Sequence, residues 1–267
     1  MLGAIIGDIA GSRFECHGIK TKEFDFLTKT GGCKFTDDSV MTVAIAKAIL
    51  DCNGDYGDLE SKAIYYMQKF GRQYPKAGYG GNFIFWIKAS KPRPYNSFGN
   101  GAAMRVSPCA YAAKTLDEAI RLSETVTKVS HNHPEGIKGA EAATVAVFLA
   151  LHGKSIPEIR DYIDKHYYPM NFTLDSIRET YTFNVSCRET VPQAIMAFLE
   201  SASYEDAVRN AISLGGDSDT LAAITGGIAE AYYSIPSEIR KLGFTFLDDE
   251  LASTVNSFET EFGIRLE

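Results

Sequence analysis

Apolar residues recur at intervals of three and four along most of this chain, and runs that alternate residue by residue are scarce. That period predicts helices. One spans Asp38 to Leu50, with Val40, Val43, Ala44 and Ala48 on or near one face; another spans Leu59 to Phe70, with Ile64 and Met67 inward. Further helices are predicted at 101–113, 116–129, 135–152, 156–165, 190–200, 204–213, 219–234 and, more weakly, 247–262. Ser155, with Pro157 and Glu158 just behind it, is a start signal. Gly, Pro and Asn gather at 29–34, 71–82, 91–101, 130–136 and 166–173, where the chain is predicted to turn. No long linker and no repeat interrupts the pattern. The expectation is one all-α domain over residues 1–267.

Two helices are rich in small residues. The first carries Gly3, Gly7 and Gly11, four apart on one face; the other carries Ala222, Ala223, Gly226, Gly227 and Ala229. A helical glycine costs about 1 kcal/mol against alanine, so its repeated use predicts close backbone approach at the centre of the fold. Asp8 sits inside the apolar first helix, where a carboxylate must be hydrogen-bonded, paired or near a cation.

Composition narrows the class. Of 267 residues, 45% are hydrophobic and 23% charged, the balance of an ordinary globular protein. With 27 Lys and Arg against 34 Asp and Glu the net charge is −7, which argues against a nucleic-acid partner. Five scattered cysteines with no CxxC pair fit reduced thiols. Cys16-His17 and His131-x-His133 lack zinc-ligand spacing. The longest apolar run, Ala142 to Leu151 with Thr144 inside it, is too short for a bilayer, and the N-terminus lacks the basic start of a signal peptide. A cytoplasmic location and no membrane partner are expected.

Thr36-Asp37-Asp38-Ser39 and Asp217-Ser218-Asp219-Thr220 each open a helix. Either alone reads as an N-cap, because carboxylates there accept from free amides and favour the helix dipole. Together they offer four carboxylates and several hydroxyls, the oxygen donors that Mg²⁺, Mn²⁺ and Ca²⁺ prefer. Asn96 to Arg105 is a glycine-rich loop opening a helix, a shape that exposes amides to an anion; it lacks the Lys-Ser/Thr of an ATPase loop. His131 and His133 precede another helix, as caps, substrate contacts or plain loop residues. Glu15 is expected to end the first helix, where an acid opposes the dipole.

The order of these motifs, Gly7-Asp8-x-x-Gly11-Ser12-x-x-Glu15, Phe35-Thr36-Asp37-Asp38-Ser39, Gly99-Asn100-Gly101-Ala102-Ala103-Met104-Arg105, His131 and Gly215-Gly216-Asp217-Ser218-Asp219-Thr220, resembles the ADP-ribosylglycohydrolase family from the first helix to about residue 234. The resemblance implies a compact, single-domain, all-α orthogonal helical bundle around two divalent cations, Mg²⁺ or Mn²⁺. It implies Thr36, Asp37 and Asp38 on one side of the metals and Asp217, Asp219 and Thr220 on the other, with Asp219 shared. Glu15 and Asp38 would be catalytic. The loop Ser97, Phe98, Gly99, Asn100 and Gly101 would hold the diphosphate, with Phe98 stacked on adenine and His131 facing the ribose. The implied reaction is hydrolysis at C1″ of the distal ribose in ADP-ribose conjugates on a protein or small acceptor, by a monomer. Ser39 stands where the family often has Thr, which keeps the hydroxyl. Ala102-Ala103 departs from the commoner pattern and leaves the acceptor open. Two rival readings are a metal-dependent phosphoesterase acting on nucleotides and a non-catalytic binder of ADP-ribose.

Overall fold

Two helices in the middle of the molecule explain why the glycines are where they are. The structure is a computed structural model describing residues 1–15 and 17–263. Helix α1 (Leu2–Gly11) is buried along its whole length, and α12 (Ser218–Tyr233) is buried from Ser218 to Glu230. They run antiparallel in tight contact. A Cβ on Gly3 would lie 2.4 Å from the Gly226 carbonyl oxygen, one on Gly7 2.0 Å from that of Ala222, and one on Gly11 2.4 Å from that of Ser218. The reverse contact is as close: a Cβ on Gly226 would lie 2.2 Å from the Gly3 oxygen. The stripe of small residues is thus a close helix–helix seam. Its antiparallel register brings the C-terminal end of α1 to the N-terminal end of α12.

The other helices surround this pair. They are α2 (Asp37–Asp51), α3 (Leu59–Gln73), α4 (Gly81–Lys88), α5 (Ser107–Ala112), α6 (Leu116–Lys128), α7 (Pro134–Leu151), α8 (Ile156–His166), α9 (Leu174–Ile177), α10 (Cys187–Leu199), α11 (Tyr204–Ile212), α13 (Ser237–Phe244) and α14 (Asp249–Glu261). Helices α7, α10 and α11 pack on α12, while α2 packs on α1, α3, α5 and α14. One hydrophobic core runs from Met1 to Phe258. Among the described residues there is no strand, only an isolated bridge between Gly99 and Ser186, and no helix is long and apolar enough to cross a membrane. The all-α expectation is met.

Local departures have local causes. The helix expected at 101–113 is broken into a 3₁₀ turn, Asn100–Ala102, and α5. Pro108 has no N–H to donate to the fourth carbonyl back, so a continuous helix would lose a bond there. On α3 the inward face is Leu59, Ala63, Tyr66, Met67 and Phe70, with Ile64 half-buried at its edge. Helix α4 was hidden among turn-rich neighbours; it buries Phe83, Trp86 and Ile87, and the Trp86 indole donates to the Val129 carbonyl at 2.9 Å. Helix α13, only eight residues long, buries only Gly243. Glu158 closes the expected cap of α8 by accepting from the Ser155 amide at 2.9 Å.

Candidate active site

Glu15 is not the last residue of α1. The helix stops at Gly11, where the Ser12 hydroxyl donates to the Ile9 carbonyl at 2.9 Å and accepts from the Lys34 amide at 3.1 Å. That hydroxyl competes for helix bonding. The chain then tightens into turns, with Phe14 N donating to Gly11 O and His17 N to Phe14 O. These turns carry Glu15 over the start of α12. Cys16 lies outside the described residues.

The expected acids meet. Asp37 and Asp38 open α2, where the Asp37 amide donates to the Ala77 carbonyl at 2.9 Å. Asp217 and Asp219 open α12, which the chain enters through Gly215 and Gly216, both left-handed, at φ +68° and +74°. A Cβ on Gly216 would also strike the Tyr181 ring at 2.8 Å. Carboxylate oxygens of Asp8, Asp38 and Asp219 lie within 4.8 Å of one another, and so do those of Glu15, Asp217 and Asp219. Asp219 belongs to both groups. Asp37 joins neither, though it lines the same cleft.

Asp8 was left undecided by the sequence and proves to be the hub beneath the first group. Its carboxylate accepts from the Thr36 amide at 2.9 Å, the Thr36 hydroxyl at 2.6 Å, the Ser39 amide at 3.1 Å and the Ser39 hydroxyl. Thr36 therefore turns its hydroxyl proton to Asp8, and it is absent from the cleft lining. The Thr220 hydroxyl donates to Asp38 Oδ2 at 3.3 Å, while buried Asp38 Oδ1 has no partner.

Charge is unbalanced here. Among the described residues no salt bridge involves Asp8, Glu15, Asp37, Asp38, Asp217 or Asp219. Burial pushes the Asp8 carboxyl up to about 6 despite its hydrogen bonds. Burial, then the charge of Asp8, pushes Asp37 up to about 8. Burial and neighbouring carboxylates hold Asp38 and Asp219 well above the carboxylate range, and Glu15 is raised by burial and by Asp217. Removing water from several like charges has this effect. An orphaned carboxylate oxygen inside two overlapping oxygen clusters fits hard divalent cations, which want oxygen ligands and would neutralise the charge.

The cleft above these acids has a volume of about 320 Å³. Its far side is the glycine loop, pinned to the segment before α10: the Asn100 amide donates to Val185 O at 2.8 Å and the Cys187 amide to Phe98 O at 2.9 Å. Ser97, Gly99, Asn100, Gly101 and His131 line it. The loop is less open to an anion than its composition suggests, because the Gly99 amide already donates to Ser97 Oγ at 3.2 Å. The Asn100 side chain faces the acids, donating to Asp217 Oδ2 at 2.7 Å and to Thr190 Oγ1 at 3.2 Å. Phe98 lies outside the lining, 52% exposed, edge-on to His133. Tyr95, Phe83, Phe183, Val185 and Arg105 also line the cleft, and the sequence reading assigned none of them a role. Phe183 and Val185 lie on a segment without helical period. Arg105 stood in a recognised motif, but nothing local shows that it is buried.

Fold and cleft together define an all-helical protein whose central seam delivers a cluster of carboxylates to the floor of a glycine-bordered pocket. The ADP-ribosylglycohydrolase sequence profile matches residues 1–262, and the chain belongs to that family. It is 27% identical to the ADP-ribosylhydrolase ARH3 of Xenopus tropicalis over 302 residues, covering 87% of this chain and 85% of that protein. It is 24% identical to the ARH3 of Homo sapiens over 309 residues, covering 88% and 84%. A solved structure described as an ADP-ribosylglycohydrolase-related protein complex superposes with a TM-score of 0.67 at 20% identity, covering 97% of this chain and 96% of that one, which supports the fold.

Proposed function

We propose that the protein hydrolyses the glycosidic bond at C1″ of the distal ribose in ADP-ribose conjugates, with two divalent cations, Mg²⁺ or Mn²⁺, in the acidic floor. The observation that carries the reading is the pair of carboxylate clusters joined at Asp219, facing a glycine-bordered cleft. Asp38, Asp217 and Asp219 would hold the cations, with Asp37, Thr36 and Thr220 beside them. When bound, the cations supply orientation of the ribose hydroxyls and polarisation of a water.

The chain's own groups do the rest. The bond from C1″ to the acceptor breaks, a bond from C1″ to the water oxygen forms, and one proton passes from that water to the leaving atom. Glu15, half-buried at the cleft and raised in pKa, is the group placed to relay this proton. The loop from Ser97 to Gly101 and His131 orient the diphosphate and ribose, and Phe98 at the rim offers its ring to adenine. Binding remote parts of the substrate positions the reacting carbon.

The test is a panel of ADP-ribosylated substrates (arginine, serine, acetyl ester, polymer and nucleic-acid end), each with Mg²⁺ and with Mn²⁺, read by mass spectrometry. Intact ADP-ribose is the expected product. Phosphate or a mononucleotide would establish the phosphoesterase instead, and binding without turnover on any substrate would establish a binder.

A further inference from the structure

Arg105 is fully buried, yet no salt bridge among the described residues includes it. Its Nε and Nη1 have no hydrogen-bond partner. A buried, unpaired guanidinium is costly to keep, so its one polar engagement is informative. Nη2 donates to the Ser130 hydroxyl at 2.8 Å and approaches Nδ1 of His131 at 3.4 Å, while Ser130 Oγ lies 2.8 Å from the same Nδ1. The guanidinium carbon also lies over the Phe83 ring, 5.4 Å from its centroid.

A guanidinium has donors and no acceptor. Ser130 Oγ, the nearer partner of Nδ1, already accepts from Arg105 and has one proton of its own to give; a hydroxyl proton turned to Nδ1, with a guanidinium beside it that can only donate, makes Nδ1 the acceptor and leaves the ring proton on Nε2. That nitrogen faces the glycine loop: a Cβ on Gly101 would come within 3.4 Å of it and one on Gly99 within 3.7 Å. The two glycines keep the space in front of Nε2 free of side chain, and His131 lines the cleft. We infer that Arg105 is a positioning residue that fixes His131 as its Nε2–H tautomer, so that the imidazole presents an N–H donor to an oxygen of the bound ADP-ribosyl group. The second half of this inference rests on the function proposed above; the first half does not.

The groups facing the ring are few. Tyr95 and Phe83 pack on it at 5.6 and 6.1 Å, and Arg105 is the charged group beside it. Burial, then the Arg105 charge, hold the imidazole well below its usual range. His131 therefore stays uncharged and keeps one tautomer where ordinary histidines titrate. Arg105 itself is brought down to about 10 by burial, still a cation at neutral pH.

The experiment is long-range ¹H–¹⁵N NMR of the histidine side chains in the full chain, with and without ADP-ribose. The expected result is that His131 shows an unprotonated Nδ1 and a protonated Nε2 from about pH 5 to 8, where free imidazoles titrate. Arg105→Met should mix the tautomers and weaken ADP-ribose binding about tenfold, the loss of a charge-assisted hydrogen bond's worth of order; Arg105→Lys should restore part of both. An Nδ1–H tautomer in the parent overturns the inference, and so does an Arg105→Met protein with an unchanged tautomer and unchanged affinity. Should Arg105→Met not fold, Ser130→Ala decides: retention of Nε2–H leaves Arg105 as the cause, and a switch to Nδ1–H assigns the control to Ser130. A fixed Nε2–H whose signal ignores ADP-ribose supports the Arg105 assignment and overturns the role of His131 in the proposed function.

Discussion

The seam between α1 and α12 and the acidic floor at its end are built from the same two helices, and they obey opposite rules. Along the seam the contacts are mainly apolar or backbone, with the Glu230 carboxylate accepting from the Gly3 amide at 2.9 Å at its far end, and the helices are so close that a methyl on Gly7 would collide with the Ala222 carbonyl. At the floor, one turn further, five carboxylates converge, with Asp37 lining the same cleft, no salt bridge to any of them among the described residues and an orphaned oxygen on Asp38. The first region is where the fold is secured; the second is where it is opposed. The difference shows that repulsive chemistry is held in place by packing elsewhere. The glycines have no chemistry of their own, yet their register sets Asp8 and Glu15 against Asp217 and Asp219.

Breaking the seam should have the largest effect. Gly7→Ala places its Cβ against backbone of the opposing helix, which cannot move as a side chain can. The expected cost is at least the about 1–3 kcal/mol of overpacking, read as loss of soluble protein or a large drop in melting temperature. Gly80→Ala, whose Cβ meets nothing within 4 Å, should melt within about 0.5 kcal/mol of the parent. Equal behaviour of the two variants would remove the seam from the account.

At the floor, Glu15→Gln should keep the fold and ADP-ribose binding but lower turnover by about 10²–10⁴-fold, the usual contribution of a general acid or base. Full activity at saturating metal would leave Glu15 without a chemical role. Asp219→Asn addresses the charge itself. Calorimetry should show cation binding weakened more than by Thr220→Ala, since an amide replaces one ligand oxygen with an N–H donor. In chelator the same variant should melt no lower than the parent, because one of several repelling charges is gone. Two cations bound as tightly as in the parent would dismiss the shared ligand.

The pH dependence sharpens the contrast further. Asp37 rises to about 8 in the folded protein from about 4 in an unfolded chain. A raised carboxyl binds its proton more tightly when folded, so folding loses stability as pH rises through that window. In chelator, Asp37→Asn should therefore gain on the parent in melting temperature between about pH 4 and 8, and added Mg²⁺ or Mn²⁺ should reverse the order. A constant difference across pH would mean that Asp37 is not strained. Phe98→Ala should have the smallest effect: an exposed ring contributes about 1–3 kcal/mol when stacked on a base, so ADP-ribose affinity should fall while the melting temperature stays put.

Much of this was legible in the residues themselves. The period of three and four marks most helices because a half-buried helix must keep one apolar face. Glycines four apart announced their purpose by being locally unfavourable in a helix, whereas the acids at two helix starts are locally favourable and pointed to a cation only when taken together. Other features carried no such local signal. The end of α1 at Gly11 goes with Ser12 turning its hydroxyl to the Ile9 carbonyl while accepting from the distant Lys34 amide. Asp8 was conspicuous in an apolar helix, but which donors would satisfy it could not be read.

By itself the sequence determined the helical class, the residues able to ligate a cation and the loop able to border a ligand, since these follow from side-chain chemistry and from spacing within a turn or two. Only the tertiary structure decided that Asp219 joins two carboxylate groups, that Thr36 and Ser39 serve Asp8, and that Arg105 is buried against His131. The reason is physical. Spacing along a helix reports which residues share a face, whereas distance across the fold is set by how closely helices pack, and here that closeness rests on the absence of side-chain atoms at Gly3, Gly7, Gly11 and Gly226.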